Sequence, residues 1–357
     1  MLQSIIQVIV ALIIVVVLFV IAFYVYNREY IEAIQTASSL RKRVDVFRGI
    51  KDLKYNRDEL YNTFDKSHPT FKDLNLSVNQ KGGAEFTYNF WVYKNNAIRL
   101  DVDAIPVRTD QGLRTDDIVL FMKGSKRTFD YKGLCNTSKQ DVLVKCPLVK
   151  LQSNMDMLTV EINTLENPDS VHEMSRDTCK DASKEWKKVN AHVIAVEGLS
   201  KPNFDKKWFM VTVVVQDVTP LDPLPFRNRV RARIYVNGVM ELDRYIDGRL
   251  GSVADDATVI RQNQAPLYVA PSITTIRNGT EVKVEIPANL PEKSLYLADL
   301  AYFNYALPVE EVKSLLSQGF TKSVAPSVAD TANTRDAISE TKDSVAFTDG
   351  KKQLREF

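Results

Sequence analysis

The chain has 357 residues, 45% hydrophobic and 26% charged, which excludes a wholly disordered chain, a collagen-like fibre and a polytopic membrane protein. Forty-seven Lys and Arg against 45 Asp and Glu leave a net charge of only +2, without the basic excess of a nucleic-acid-binding protein, so no nucleic-acid partner is expected. Three cysteines are too few for a disulfide scaffold.

After an N-terminal end of residues 1–4, residues 5–26 read IIQVIVALIIVVVLFVIAFYVY, with Gln7 the one clearly polar member and Arg28 the first charged side chain. A helix of this length at ~1.5 Å per residue spans ~33 Å, the thickness of a hydrocarbon core. Tyr24 and Tyr26 fall where amphipathic rings favour the interface. A cleaved signal peptide needs a basic start, a shorter apolar run and a small-residue exit, which this segment lacks. A single-pass transmembrane helix in a lipid bilayer is therefore predicted. Between 27 and 54, Arg28, Arg41, Lys42, Arg43, Arg48, Lys51 and Lys54 outnumber Glu29, Glu32, Asp45 and Asp52. The positive-inside rule then places the large C-terminal part on the cytosolic side, and sparse cysteines agree with a reducing compartment. The sequons at Asn75, Asn136 and Asn278 point the other way.

Residues 27–70 are charged, with a ragged apolar stripe of Ile31, Ile34, Leu40, Val44, Phe47, Ile50 and Leu53, and predict a basic helical stalk. The stalk either packs on the following domain or brings Arg41, Lys42 and Arg43 to anionic lipid head groups.

From 71 to 320 the pattern changes to short strands. Glu85–Tyr93 puts Phe86, Tyr88, Phe90 and Val92 on one face. Asp117–Met122, Leu158–Ile162, His192–Val196 and Trp208–Val215 are further apolar runs, and Leu295–Tyr302 is another. Val230–Leu242 reads as two strands about an Asn237-Gly238 turn, a strong hairpin signal. Many short strands with few helices predict a mainly β domain, an antiparallel two-sheet jelly-roll sandwich. The polar stretch at about 124–188, holding Cys135, Cys146 and Cys179, reads as an insertion between strands. Cys135 and Cys146 could pair across a loop, whereas free thiols suit the cytosol; without a Cys-x-x-Cys, no metal site is expected. A short helix over Pro308–Leu316 ends at Gly319, and residues 321–357 form a polar tail too poor in apolar groups to fold alone.

Four stretches in this order carry a resemblance: Phe86–Tyr93 (FTYNFWVY), Ile118–Ser125 (IVLFMKGS), Trp208–Asp217 (WFMVTVVVQD) with Ile234–Gly238 (IYVNG), and Leu295–Leu316 (LYLADLAYFNYALPVEEVKSLL). Residues 71–320 resemble the concanavalin A-like lectin/glucanase superfamily, especially its laminin-G-like jelly-roll branch. That superfamily includes lectins, glycoside hydrolases and non-catalytic adhesion or structural modules, so the site must decide the function.

Glycosidases of that superfamily carry closely spaced carboxylates on one strand. The nearest match here is Glu241, Asp243 and Asp247, but Tyr245 occupies one slot and the last acid is displaced. A solvated strand face is the plainer reading; no catalytic residue is assigned and the chain is not expected to be an enzyme. Nucleophile-elbow, phosphate-loop and His-Glu-x-x-His motifs are missing, and His68, His172 and His192 are scattered. Calcium is an option that the resemblance offers, but Asp116-Asp117 and Asp255-Asp256 lack alternating oxygen ligands, so no cofactor is expected.

Arg227, Arg229, Arg231 and Arg233 alternate with Asn228, Val230 and Ala232 and would project from one strand face. Four unpaired guanidinium groups would suit an acidic partner, a sugar acid or a phosphate surface, unless the protein's own acids pair with them. Trp91 lies opposite the Phe86/Phe90 parity and would either stack on a sugar or face the second sheet.

These readings converge on a non-enzymatic, membrane-anchored structural or interaction protein whose jelly roll binds neighbouring proteins. Such a design suits a link between a membrane and a protein shell, as in a minor capsid or virion membrane protein of a large DNA virus, in the inner membrane under the capsid. The alternatives are a membrane-tethered lectin with a glycan partner, and a diverged glycoside hydrolase.

Overall fold

A computed structural model describes residues 12–19, 40–74, 77, 84–95, 107–110, 112–132, 139–166, 189–218, 229–246 and 258–325. The domain opens with three short strands, β1 (Arg43–Asp45), β2 (Ile50–Asp52) and β3 (Glu59–Tyr61). Next come β4 (Glu85–Lys94), β5 (Ile118–Gly124) and a small hairpin of β6 (Phe129–Lys132) and β7 (Lys139–Val142). β8 (Lys145–Leu151), β9 (Leu158–Glu166), β10 (Val189–Val196) and β11 (Lys207–Val218) follow. β12 (Arg229–Val236) and β13 (Val239–Ile246) are joined by Asn237-Gly238. Both turn residues have positive φ, +49° and +75°, as a two-residue hairpin turn requires. β14 (Thr258–Ile260), β15 (Leu267–Val269), a second small hairpin of β16 (Ile273–Arg277) and β17 (Thr280–Val284), and β18 (Leu295–Phe303) precede the helix Val309–Gln318.

Among the described residues the long strands form two antiparallel seven-stranded sheets. The first runs β1-β18-β4-β11-β12-β13 with β2 also on β18, and the second β10-β9-β8-β5-β15-β3 with β14 on β9. The main core lies between them. Phe86, Tyr88, Phe90 and Val92 of β4 and Val211, Val213 and Val215 of β11 meet Ile118, Leu120, Val149 and Val160 of the second sheet. Each large apolar side chain removed from water contributes about 1.5–3 kcal/mol. Residues of opposite parity build a second apolar layer, in which Trp91, Met210, Val214, Tyr235 and Ala298 pack under Val312 of the helix. Gly319 closes the helix at φ +69° and ψ −161°, a backbone conformation that glycine adopts far more readily than other residues.

The structure corrects the expected helical stalk from residue 40 onward; residues 27–39 lie outside the described residues. There β1 and β2 pair with β18 and β3 pairs with β15, and Val46, Phe47, Leu53 and Tyr61 are core. The apolar stripe was real, but it serves three-residue strands rather than one helix, with Gly49 at φ +92° breaking the run. The expected insertion at 124–188 supplies β8 and β9, central strands of the second sheet; Cys135 and Cys179 lie outside the described residues. Cys146 is a free, buried thiol, and burial pushes it up to about 12. The expected tail begins later than residue 321. Ile50 N donates to Ser323 O at 2.8 Å, Ala325 N donates to Ile50 O at 2.9 Å, and Ala325 is core. Of the apolar segment 5–26, residues 12–19 are described and helical. Among the described residues no helix is long and apolar enough to cross a membrane.

Candidate binding surface on the outer face of the first sheet

Strand alternation sends Val230, Ala232 and Ile234 of β12 into the core and Arg229, Arg231 and Arg233 to the outer face, where they are half-buried; Arg227 lies outside the described residues. Of the two alternatives for this row, pairing with one of the protein's own acids is what Arg231 shows. Arg231 Nε and Nη2 donate to Asp243 Oδ1 and Oδ2 at 2.7 and 2.5 Å, and its guanidinium lies 5.6 Å from the Tyr245 ring centroid. Arg233 Nη2 donates to Gln216 Oε1 at 2.7 Å. The fork of Arg231 holds the Asp243 carboxyl below the usual carboxylate range, and Asp243 in turn raises Arg231. These groups meet because β13 folds back beside β12 with Asp243 opposite Arg233.

β13 is exposed along most of its length and ends the strand order of the first sheet. Val239, Met240 and Tyr245 are 60%, 50% and 41% exposed. The β12–β13 hairpin thus presents arginines, a tyrosine, a methionine and an edge strand together.

Trp91, the expected sugar platform, is buried beneath the helix with its ring 5.2 Å from Phe320. It lies on the helix side of the first sheet, away from the second sheet. The adjacent aromatic surface is a triad that sequence reading did not single out. Tyr296, Tyr93 and Trp208 stand opposite one another on β18, β4 and β11, half-buried, with centroids 5.5 to 6.1 Å apart. Phe320 lies 4.4 Å from Trp208. Asp52 and exposed Tyr55 and Glu292 flank the triad beside Tyr296, and Tyr55 donates its hydroxyl to Glu292. The signal was available in the shared parity of Trp91 and Tyr93, but the third and fourth rings come from distant strands.

Arg41, Lys42 and Arg43 are exposed where the chain joins the first sheet. Lys42 N donates to Asn304 Oδ1 at 2.7 Å, and Asn304 Nδ2 donates to Leu40 O at 3.1 Å. The Arg41 and Arg43 guanidinium groups lie 4.9 and 5.7 Å from the Tyr305 and Phe303 centroids, and Arg43 reaches Asp45 at 2.8 Å. The backbone of this cluster is packed on the domain while its cationic groups remain at the surface.

Glu241 is exposed, Asp243 is held by Arg231, and Asp247 lies outside the described residues. The concentrated carboxylates sit elsewhere, in a buried ionic network of the second sheet. Lys150 reaches Asp117 and also Glu161 Oε1, the latter at 2.8 Å, and Lys145 reaches Glu161 Oε2. Burial raises the Asp117 carboxyl; burial also opposes ionisation of Glu161, but Lys145 and Lys150 together hold it below the usual range. Lys150 thereby bridges the two carboxylates, Lys145 holds Glu161 from its other oxygen, and the network ties β8 and β9 to the start of β5. Asp116 accepts from Arg114 at 2.9 Å and Ser153 at 2.6 Å. Asp255 and Asp256 lie outside the described residues, and no group of three His, Cys, Asp or Glu that could hold a metal occurs among the described ones. His68 pairs with Thr70 at 2.8 Å, His192 stands opposite Ile162 on β9, and His172 lies outside the described residues.

No protein-family model and no curated protein sequence matches the chain. Solved structures that share some of its geometry include the binding domain of botulinum neurotoxin serotype D, at 9% identity and a TM-score of 0.32, over 66% of this chain and 36% of that one. The type G receptor-binding domain gives 13% identity and 0.30, over 66% and 38%. The serotype D ligand-binding domain in complex with N-acetylneuraminic acid gives 10% and 0.32, over 69% and 38%. The chain spans little more than a third of those proteins, and likenesses of this extent bear neither on its fold family nor on what it binds.

Proposed function

We propose that the chain is a membrane-tethered, non-catalytic binding module that docks a neighbouring protein on its β12–β13 hairpin. The observation that carries this reading is β13, an eight-residue edge strand exposed through Val239, Met240 and Tyr245 beside a row of arginines. Arg, Tyr and Met are the residue types enriched at protein interfaces. Arg229, Arg231, Arg233 and Arg244 exceed Glu241 and Asp243 in charge, so the complementary partner surface is acidic. Segment 5–26 supplies the tether, and Arg41, Lys42 and Arg43 meet anionic head groups beside it. In this proposal the domain is a concanavalin A-like, laminin-G-like jelly roll that links a membrane to a protein shell. Charge reversal of Arg229, Arg231 and Arg233 in the full-length chain should release the partner from native membranes; unchanged co-purification would remove the hairpin from the account.

A membrane-tethered lectin is the second reading, favoured by the half-exposed Tyr93–Trp208–Tyr296 floor with Asp52 and Glu292 at its rim. A glycan array probed with the full-length chain should be blank under the first reading. A signal abolished by Trp208→Ala would establish the second.

A further inference from the structure

We infer that the cavity between the two sheets is a binding site for a small monovalent anion of halide size. The cavity has a volume of about 10 Å³, room for one small ion or water, is partly open to solvent, and is lined by Tyr88, Lys123, Cys146 and Tyr302 together with Gln262 and Asn263. Lys123 is 6% exposed. Its Nζ donates to Asn263 O and, at 3.3 Å, to Asn263 Oδ1, and among the described residues no carboxylate pairs with it. Tyr88 is 1% exposed, its ring centroid lies 5.1 Å from that of Tyr302, and its hydroxyl has no hydrogen-bond partner among the described residues.

A buried ammonium without a counter-charge is unfavourable, and so is a buried phenol with nothing to donate to. A water molecule would accept from Tyr88 but leave the ammonium uncompensated. A carboxylate or phosphate would bring more acceptor oxygens than these donors can satisfy. A halide accepts from the ammonium and the phenol at once, neutralises the charge and adds no donor of its own. The Cys146 thiol, kept neutral by burial, does not compete as an anion.

The test is thermal unfolding of the full-length chain in nonionic detergent, in sodium chloride and in sodium gluconate of matched ionic strength. The expected result is a midpoint that rises saturably with chloride. Tyr88→Phe, which keeps the ring and removes the donor, weakens the half-saturating chloride concentration about tenfold. Lys123→Met abolishes the difference between the salts. Bromide-soaked crystals provide a measurement independent of any variant and should show an anomalous peak beside Lys123 Nζ. Coincident midpoints in the two salts, or ordinary water density with no anomalous signal, would overturn the assignment.

Discussion

Gly49 illustrates how single positions fix this fold. An added Cβ would lie 2.5 Å from Ser323 O and 3.0 Å from Ala325 N, at a φ of +92° that side chains rarely adopt. Gly49→Ala should therefore destabilise the protein by about 2–4 kcal/mol, read as a lower urea midpoint; an unchanged midpoint would mean that residues 323–325 do not pack there. Glu161→Gln should remove roughly 3–5 kcal/mol, because Lys145 and Lys150 would remain buried beside a neutral amide, and a loss within experimental error would show that the network is solvated. Asp217 sets a pH dependence. Its Oδ1 accepts from Ile260 N at 2.9 Å and its Oδ2 from Ala84 N at 2.8 Å, yet burial pushes the carboxyl up to about 7. The folded state thus binds this proton more tightly than the unfolded chain. That contribution is full below about pH 4 and is lost as pH rises through about 7. The wild-type urea midpoint should fall relative to that of Asp217→Asn between about pH 4 and 7 and run level with it above that range, and parallel curves throughout would contradict the assignment.

At the scale of elements, segments with a long private signal were legible. EFTYNFWVY alternates visibly and became β4, Asn237-Gly238 announced its hairpin, and Gly319 ended its helix. Strands β1 to β3 were not legible, because three residues carry no detectable period and their partners, β18 and β15, lie more than two hundred positions away. The parity of Arg229, Arg231 and Arg233 could be read in advance; their pairing with Asp243 and Gln216 could not, since it depends on how β11, β12 and β13 register. Trp91 was misjudged for the same reason, as the helix and Phe320 that bury it arrive from far along the chain. Because Val46, Phe47, Leu53 and Tyr61 are core, a fragment beginning at residue 65 should fail to give a cooperative unfolding transition, whereas one beginning at residue 40 and ending at 325 should give one. Equal transitions from both fragments would separate the first three strands from the folded unit.

At the scale of the whole molecule, an apolar segment at 5–26 precedes a sandwich whose first sheet is closed at one edge by residues 323–325 and, among the described residues, open at β13. The most direct measurement is photo-cross-linking in native membranes from a reactive side chain placed at Met240, half-exposed at the open edge. The prediction is an adduct with one protein that presents an acidic surface, lost when Arg229, Arg231 and Arg233 are reversed in charge. Adducts confined to lipid or glycan, or a protein adduct indifferent to those charges, would contradict it.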